Sequence, residues 1–448
     1  MFALLSKGML RPVILSLAAA LLAPLPSAAL AQDGLSQTEL RREIGKRADK
    51  EIRAFYAARN NAPLWLDPAG RPSGAASLLL FRLRTAQFDG LDPDDFRPDR
   101  LAKRLDRARG GDEDDLARAE VELSAAFADY VKAMRDAARL PMIYGSEALE
   151  PIVPTAGAAL AAAAREPSLE HYIDEVRWMH PLYAPLRKAM EDPLFSPGQR
   201  RQIWTNLARL RAIPSLQQGR HVLVDLAGAR LWMYEDGRPV DSMKVVVGKP
   251  DLQTPLMAGF IRHAVHNPYW NVPDDLVKNN IAANVLDNGL GYLKDRGYQV
   301  LDGWTADAKV IDPKTVDWLA VHKGLRNVHV RQLPGGDNFM GAVKFEFPNP
   351  QGIYLHDTPD LHLMKEEARQ LSSGCVRLED ADRLARWLFG SSPNPSTPDH
   401  RVNLPEPVPV YMTYFTVAPS GSDVVVRRDV YGRDSLVTAN GQVRDLAA

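Results

Sequence analysis

The hydrophobic period of this chain changes once, between residues 214 and 220. Before Pro214 apolar residues recur at helical spacing; after Arg220 they alternate. A run with a period of 3.6 does not bury one face as a strand, nor the reverse, so the chain divides there into a helical part and a β part. The helical part includes "SQTELRREIGKRADKEIRAFYAARN", with Ser36 as the expected cap and Glu39 three residues on. Its strongest segment, "DEDDLARAEVELSAAFADYVKAMRDAARL", is acidic at its start and basic towards its end, which complements the helix dipole. The last helix, "SPGQRRQIWTNLARLRAIPS", stops at Pro214. The β part opens with "HVLVDLAGARLWMYEDGRPVDSMKVVVG", two alternating runs about an Asp236-Gly237 turn. It continues through "GAVKFEFP", "GIYLHD" and "VPVYMTYFTV". Many short strands between Pro, Gly and Asn turns predict a mostly antiparallel β-sandwich or barrel. A helical insertion interrupts it after residue 273, and "EDADRLARWLFG" reads as a short helix capped by Asp380. The tail "SDVVVRRDVYGRDSLVT" has strand character and is expected at the sheet edge.

The N-terminus reads as an export signal. Lys7 and Arg11 precede the apolar run Val13–Leu25, and Ala29-Leu30-Ala31 fits a small-x-small cleavage site before Gln32. No cysteine lies near that point for a lipid anchor. Lys plus Arg is 55 and Asp plus Glu 56, so no global basic field points to nucleic acid. Export gives meaning to the one cysteine, Cys375. A single cysteine has no internal disulfide partner, so it is either an inert buried thiol or a free reactive one.

Its surroundings bear on that choice. Cysteine chemistry needs a base and donors for an oxyanion. In "LSSGCVRLED", Ser372, Ser373 and Gly374 precede the thiol, and the backbone amides of Ser373, Gly374 and Cys375 are candidates for an oxyanion hole. Arg377, two residues on, shares the face of Cys375 in extended structure, where it lowers the thiol pKa or holds a carboxylate. His356 ends the alternating "GIYLHD" and lies 19 residues before Cys375, a candidate base; the plain alternative is a structural hydrogen bond. His362, in the intervening loop, is a competing base, and His263 and His266 are candidates to line a cleft. A metal site from His356, Asp357 and His362 is permitted by spacing but supported by no tight cluster. In "NPYWNVP", Tyr269 and Trp270 form either core packing or an aromatic wall over a ligand.

"IYLHDTP" followed by "LSSGCVRLED" resembles the active-site signature of L,D-transpeptidases, the YkuD-type domain that remodels bacterial peptidoglycan. The general family pattern places His where Ser373 stands here. Ser-Ser-Gly-Cys is closest to the large periplasmic branch typified by YcbB. "VVVGKPDLQTP", "NPYWNVP" and "MGAVKFEFPN" are similar to stretches of that branch, as are "FYAARNNAPLWLD" and "DGLDPDDF" in its helical scaffold. Members usually carry a small peptidoglycan-binding domain before the last scaffold helix; the segment from His180 to Pro214 leaves no room for one.

The resemblance implies an α+β protein. A signal peptide over 1–31 precedes an all-helical scaffold domain over 32–215. A mostly antiparallel β-sandwich catalytic domain follows over 216–417, with a helical capping insertion at about 273–318, and a C-terminal extension occupies 418–448. It implies a periplasmic enzyme without cofactor or metal. Cys375 attacks the L,D bond of a stem tetrapeptide, His356 takes its proton, and a diaminopimelate amine resolves the thioester to a 3→3 cross-link. Arg377, Tyr354, Trp270, Asn271 and Ser372 are the expected substrate contacts, carbapenems the expected covalent inhibitors, and cell-wall synthesis proteins candidate partners. The alternatives are an L,D-carboxypeptidase, a sortase-like cysteine transpeptidase, and a cell-wall-binding scaffold with a decayed site.

Overall fold

The computed structural model describes residues 27–435, apart from residues 68, 137–139, 306, 392, 394 and 422. The leader expected over 1–31 lies outside these residues as far as Pro26, as do residues 436–448 of the expected C-terminal extension. Among the described residues no helix is long and apolar enough to cross a membrane.

The first half is helical: α1 (Ser27–Arg47), α2 (Gly74–Arg84), α3 (Pro98–Ala108), α4 (Glu113–Arg135) and α5 (Pro197–Arg211), with shorter helices between them. Ser36 lies inside α1 and is not its cap, because the alanine-rich stretch before it continues the helix. Where one long helix was expected, the Asp49 carboxylate takes the amides of Glu51 and Ile52, and a second, short helix starts at Arg53. Helix α4 is the axis of this half. Asp112 caps it by accepting from the amides of Asp114 and Asp115, and it buries Leu123, Phe127, Tyr130 and Met134. On the same helix, Glu120 is fully buried yet satisfied, accepting from Tyr56 and from the amides of Leu64 and Trp65. Ser196 and Gln199 form a capping box at the start of α5.

The second half is a closed barrel, the second of the two forms expected and not the sandwich, and its sheet is mixed although most pairs of the ring are antiparallel. Its strands are β1 (Arg220–Asp225), β2 (Arg230–Glu235), β3 (Arg238–Gly248), β4 (Met257–His266), β5 (Val343–Glu346), β6 (Leu355–His356), β7 (Gln370–Ser372), β8 (Val376–Leu378) and β9 (His400–Thr413). The order runs β4-β5-β6-β8-β3-β2-β1-β9, and β9 pairs back onto β4, which closes the ring. β6 with β8, β7 with β3 and β9 with β1 are parallel; the other pairs of the ring are antiparallel. Alternation predicts strands but does not distinguish parallel from antiparallel pairing. Closure depends on β9, which is 14 residues long and serves two neighbours. Its register slips between Asn403 and Val408, where Pro405 and Pro407 have no N–H to give a ladder. Helix α6 (Ala381–Phe389) packs on the barrel through Ala381, Leu384, Ala385 and Leu388, each large apolar side chain contributing about 2 kcal/mol. Asp380 caps it as expected, accepting from the Arg383 amide at 2.9 Å.

The two halves share one continuous core, in which Leu223, Tyr234, Tyr411 and Phe415 of the barrel join the helical residues. At the seam His221 stacks on Tyr234, ring centroids 4.6 Å apart, and its Nε2 lies 3.4 Å from that of His180. The tail does not extend the barrel. Val417–Ser420 and Asp423–Val426 pair with each other as a separate hairpin, and Arg427 returns to Asp225 at 2.8 Å.

The insertion is larger than expected and not purely helical. Between β4 and β5, strands Trp270–Val272, Tyr298–Leu301, Val310–Ile311 and His329–Gln332 form their own four-stranded sheet beside several short helices. It has a separate core including Ile281, Leu293, Val300, Trp318 and Val330. Strands of two to four residues are too short to show a period, which hides this sheet from sequence patterning.

Candidate active site

Cys375 sits in the tight loop between β7 and β8. Gly374, just before it, has φ +115°, a conformation open to glycine and strained for other residues. The loop's hydrogen bonds are nearly all internal or directed backwards. Ser372 Oγ accepts from the Gly374 amide at 3.2 Å and donates to the Cys375 carbonyl at 2.6 Å. The Ser372 carbonyl accepts from the Lys249 amide at 2.9 Å, and the Gly374 carbonyl from the Thr254 hydroxyl at 2.6 Å. The Val376 amide donates to the Tyr354 carbonyl at 3.0 Å. The Gly374 amide is therefore engaged, which removes it from the expected oxyanion hole. Among the described residues, the amides of Ser373 and Cys375 have no protein acceptor. Ser372 is buried and braces the loop, so its role is not a freely offered substrate contact.

His356 ends the two-residue strand β6 and is buried. It pairs across to Lys344 on one side and Arg377 on the other, so both cations flank it on one face of the sheet. Its Nδ1 lies 2.6 Å from the Asp357 carbonyl. A carbonyl only accepts, so the ring proton is on Nδ1 and Nε2 keeps a lone pair. Burial first, then the Arg377 charge, pushes the imidazole down to about 3 against the backbone carbonyls of Asp357 and Met340. Burial also pushes the Cys375 thiol up, while the Tyr354 backbone amide, Arg377 and Lys344 pull it back. At neutral pH the resting pair is a neutral thiol and a neutral imidazole.

Cys375, His356, Ser373, Ser372, Arg377 and Trp270 all border one cleft of about 400 Å³. Its far wall belongs to the inserted subdomain, through Leu276, Asn280, Ile281, Tyr292 and Tyr298. Residues Val277–Ile281 are π-helical, a local widening found often beside functional sites. Trp270 borders the cleft, packs on Phe339 with centroids 4.9 Å apart, and also rests on the insertion's own core, so it combines both expected placements. Tyr269 instead lies under Arg331. The cysteine sulfur faces the Gly352 carbonyl at 3.7 Å.

Other expected contacts fall elsewhere. Asn271 is exposed in the middle of its strand and does not border the cleft, because alternation turns it away from the face of Trp270. Tyr354 is half-buried behind the thiol with Lys344 over its ring at 5.2 Å. Arg377 borders the cleft but is bound to Asp360 at 3.0 Å. His362 is exposed on a short 3₁₀ turn away from the cleft. His263 pairs with Glu346 at 2.6 Å, and His266 borders a different cavity. The Asp357 carboxylate accepts from the Ala342 amide, so it neither orients His356 nor joins a metal set with it. Sequence reasoning missed Lys344 and Thr254. Both act through register and loop packing, and the only signals were a lysine on the polar face of "VKFE" and the threonine of "LQTP".

Residues 219–410 match the family of L,D-transpeptidase catalytic domains (YkuD), and residues 50–190 match the Scaffold domain family. A curated Haemophilus influenzae protein named "Putative L,D-transpeptidase" is 31% identical over 256 residues, 54% of this chain and 51% of that one. The chain thus spans about half the length of that relative. Among solved structures, an L,D-transpeptidase from Mycobacterium smegmatis aligns over 43% of this chain and 58% of its own, at 11% identity and a TM-score of 0.23. An L,D-transpeptidase in complex with imipenem aligns over 43% and 58%, at 13% identity and a TM-score of 0.21.

Proposed function

We propose that this chain, whose residues 50–190 match the Scaffold domain family and residues 219–410 the L,D-transpeptidase catalytic domains, is an exported peptidoglycan L,D-transpeptidase working through a cysteine thioester. The observation that carries the reading is one cleft bordered by both Cys375 and His356, with the imidazole anchored at Nδ1 and open at Nε2.

The chemistry follows from the neutral pair. Nε2 of His356 takes the thiol proton as the Cys375 sulfur attacks the carbonyl carbon of the L,D bond in a stem tetrapeptide. The new C–S bond leaves negative charge on the carbonyl oxygen, within reach of the Ser373 and Cys375 amides. Collapse breaks the C–N bond, and the imidazolium returns its proton to the leaving D-alanine amine. A diaminopimelate side-chain amine then attacks the thioester, giving its proton to His356 and releasing the thiol. The product is a 3→3 cross-link; water in place of the amine makes the enzyme a carboxypeptidase. Neither step requires a cofactor. Arg377 faces the cleft as a partner for substrate carboxylate, and the aromatic wall at Trp270 lies over the bound peptide.

The N-terminal pattern of Lys7, Arg11 and the apolar Val13–Leu25 supports export to the periplasm, where this substrate is found. Imipenem, one of the carbapenems expected as covalent inhibitors, is the practical probe. Incubated with imipenem, the protein should gain the drug's mass on intact mass spectrometry, and Cys375→Ala should not. A Cys375→Ala protein that still gains the adduct removes Cys375 as nucleophile. Muropeptide analysis of sacculi treated with the enzyme then separates 3→3 cross-links from trimmed tripeptides.

A further inference from the structure

The turn over residues 248–254 holds the nucleophile loop from behind. It is compact: a Cβ on Gly248 would run into the Leu252 carbonyl and the Thr254 amide. Two of its groups reach the loop. The Lys249 amide takes the Ser372 carbonyl at 2.9 Å. The Thr254 hydroxyl, fully buried, takes the Gly374 carbonyl at 2.6 Å and accepts from the Gly248 amide at 2.9 Å.

In a trans peptide the C=O and the N–H point in opposite directions, and no cis bond occurs among the described residues. The Ser372 carbonyl shares its peptide with the Ser373 amide, and the Gly374 carbonyl shares its peptide with the Cys375 amide. Both carbonyls face the turn. Both amides therefore face away from it, towards the cleft that Ser373 and Cys375 border. The peptide between them is reversed, its Gly374 amide turned to Ser372 Oγ. A carbonyl that accepts a hydrogen bond also makes the N–H of its own peptide a stronger donor.

We propose that Thr254 is a positioning residue of the oxyanion hole, its hydroxyl aiming the Cys375 amide at the oxygen that becomes negative during acylation. This rests on the transpeptidase reading above. The C-terminal tail backs the device. Tyr431 donates its hydroxyl to the Gly248 carbonyl, and Arg433 donates to the Thr254 carbonyl and the Gln253 side chain, both at 2.9 Å. Asp434 binds Arg209 of α5 at 2.8 Å, so the tail ties the turn to the helical half.

The test separates aim from thiol reactivity. Imipenem acylation passes through an oxyanion; alkylation of Cys375 by iodoacetamide does not. Thr254→Val keeps the shape and removes the hydroxyl. It should slow acylation at least about 10-fold, since a lost oxyanion donor costs about 10²–10³ in rate, and leave the alkylation rate and its pH profile within about twofold of wild type. Thr254→Ser should restore acylation. Tyr431→Phe, which leaves Thr254 in place, is the second variant should valine at 254 prevent folding; it should lower acylation at least about threefold with alkylation unchanged. Acylation at the wild-type rate in the folded variants, or a parallel fall in both reactions, overturns the assignment. A wild-type protein that takes up no drug overturns the transpeptidase reading itself and this inference with it.

Discussion

His356 is anchored by the main chain of its own neighbour: Nδ1 lies 2.6 Å from the Asp357 carbonyl, while the Asp357 carboxylate is turned to the Ala342 amide. The base is oriented by backbone and not by a third side chain. Asp357→Ala should therefore keep imipenem acylation within about threefold of wild type. His356→Ala should lower it about 10²-fold or more, the usual contribution of a positioned base. Time-resolved intact mass spectrometry measures both, and a large loss in Asp357→Ala would return the orienting role to the carboxylate.

Arg377 pulls the thiol down and is itself partly neutralised by Asp360 at 3.0 Å. Removing the cation should raise the thiol further, and removing its counter-charge should lower it. In iodoacetamide alkylation, Arg377→Met is expected to shift the pH profile to higher pH and Asp360→Asn to lower pH. Lys344→Met should follow Arg377→Met, since Lys344 acts on the thiol with the same sign. Shifts of the opposite sign would exclude the electrostatic account.

His221 and His180 are buried at the seam between the halves. Burial holds His221 down at about 4 and His180 well below its ordinary value. The unfolded chain then binds more protons than the folded one between about pH 6.5 and 4. Stability from these groups is complete above pH 6.5 and is lost as the pH falls towards 4. From pH 6.5 to 4.5 one such histidine is worth up to about 2.5 kcal/mol. Urea midpoints should show His221→Gln losing less stability than wild type over this interval, whatever its stability at pH 7. The carboxylates common to both proteins cancel in that difference.

Asp89 and Arg187 form a fully buried ion pair at 3.0 Å, with Tyr130 and Tyr183 donating to the same carboxylate. Asp89→Ala leaves the buried guanidinium with only the partly exposed Glu191, at 3.0 Å, and strands the Tyr130 and Tyr183 hydroxyls, and should cost about 3 kcal/mol in urea unfolding. Replacing both partners by apolar residues should cost less than Asp89→Ala alone. The comparison is a double-mutant cycle.

Cys375 and His356 were legible because they are scarce residue types at a telling interval, each set in a local pattern that marks a turn or a strand end. The change of period near Pro214 was legible for the same kind of reason: it is written in consecutive residues. What stayed hidden lies in pairing. Nothing local in "VKFE" shows that Lys344 will stand opposite His356, and nothing in "LQTP" shows that Thr254 will meet Gly374. The closed ring depends on β9 pairing with strands from both ends of the barrel. Asn271 was misplaced although alternation alone separates it from Trp270. The engaged Gly374 amide could not be read from composition, since it follows from the rotamer of Ser372.

The inserted subdomain leaves β4 at His266 and returns to β5 at Val343, and these two residues are cross-strand partners. Just beyond them the Asn267 amide donates to the Ala342 carbonyl at 2.8 Å. The whole subdomain is thus the turn of a single β-hairpin, joined at one narrow neck and folded around a core of its own. A body joined in this way carries the far wall of the cleft on one module and leaves the thiol on the ring, and the two meet where the returning chain brings the Met340 carbonyl to His356 and the Ala342 amide to the Asp357 carboxylate.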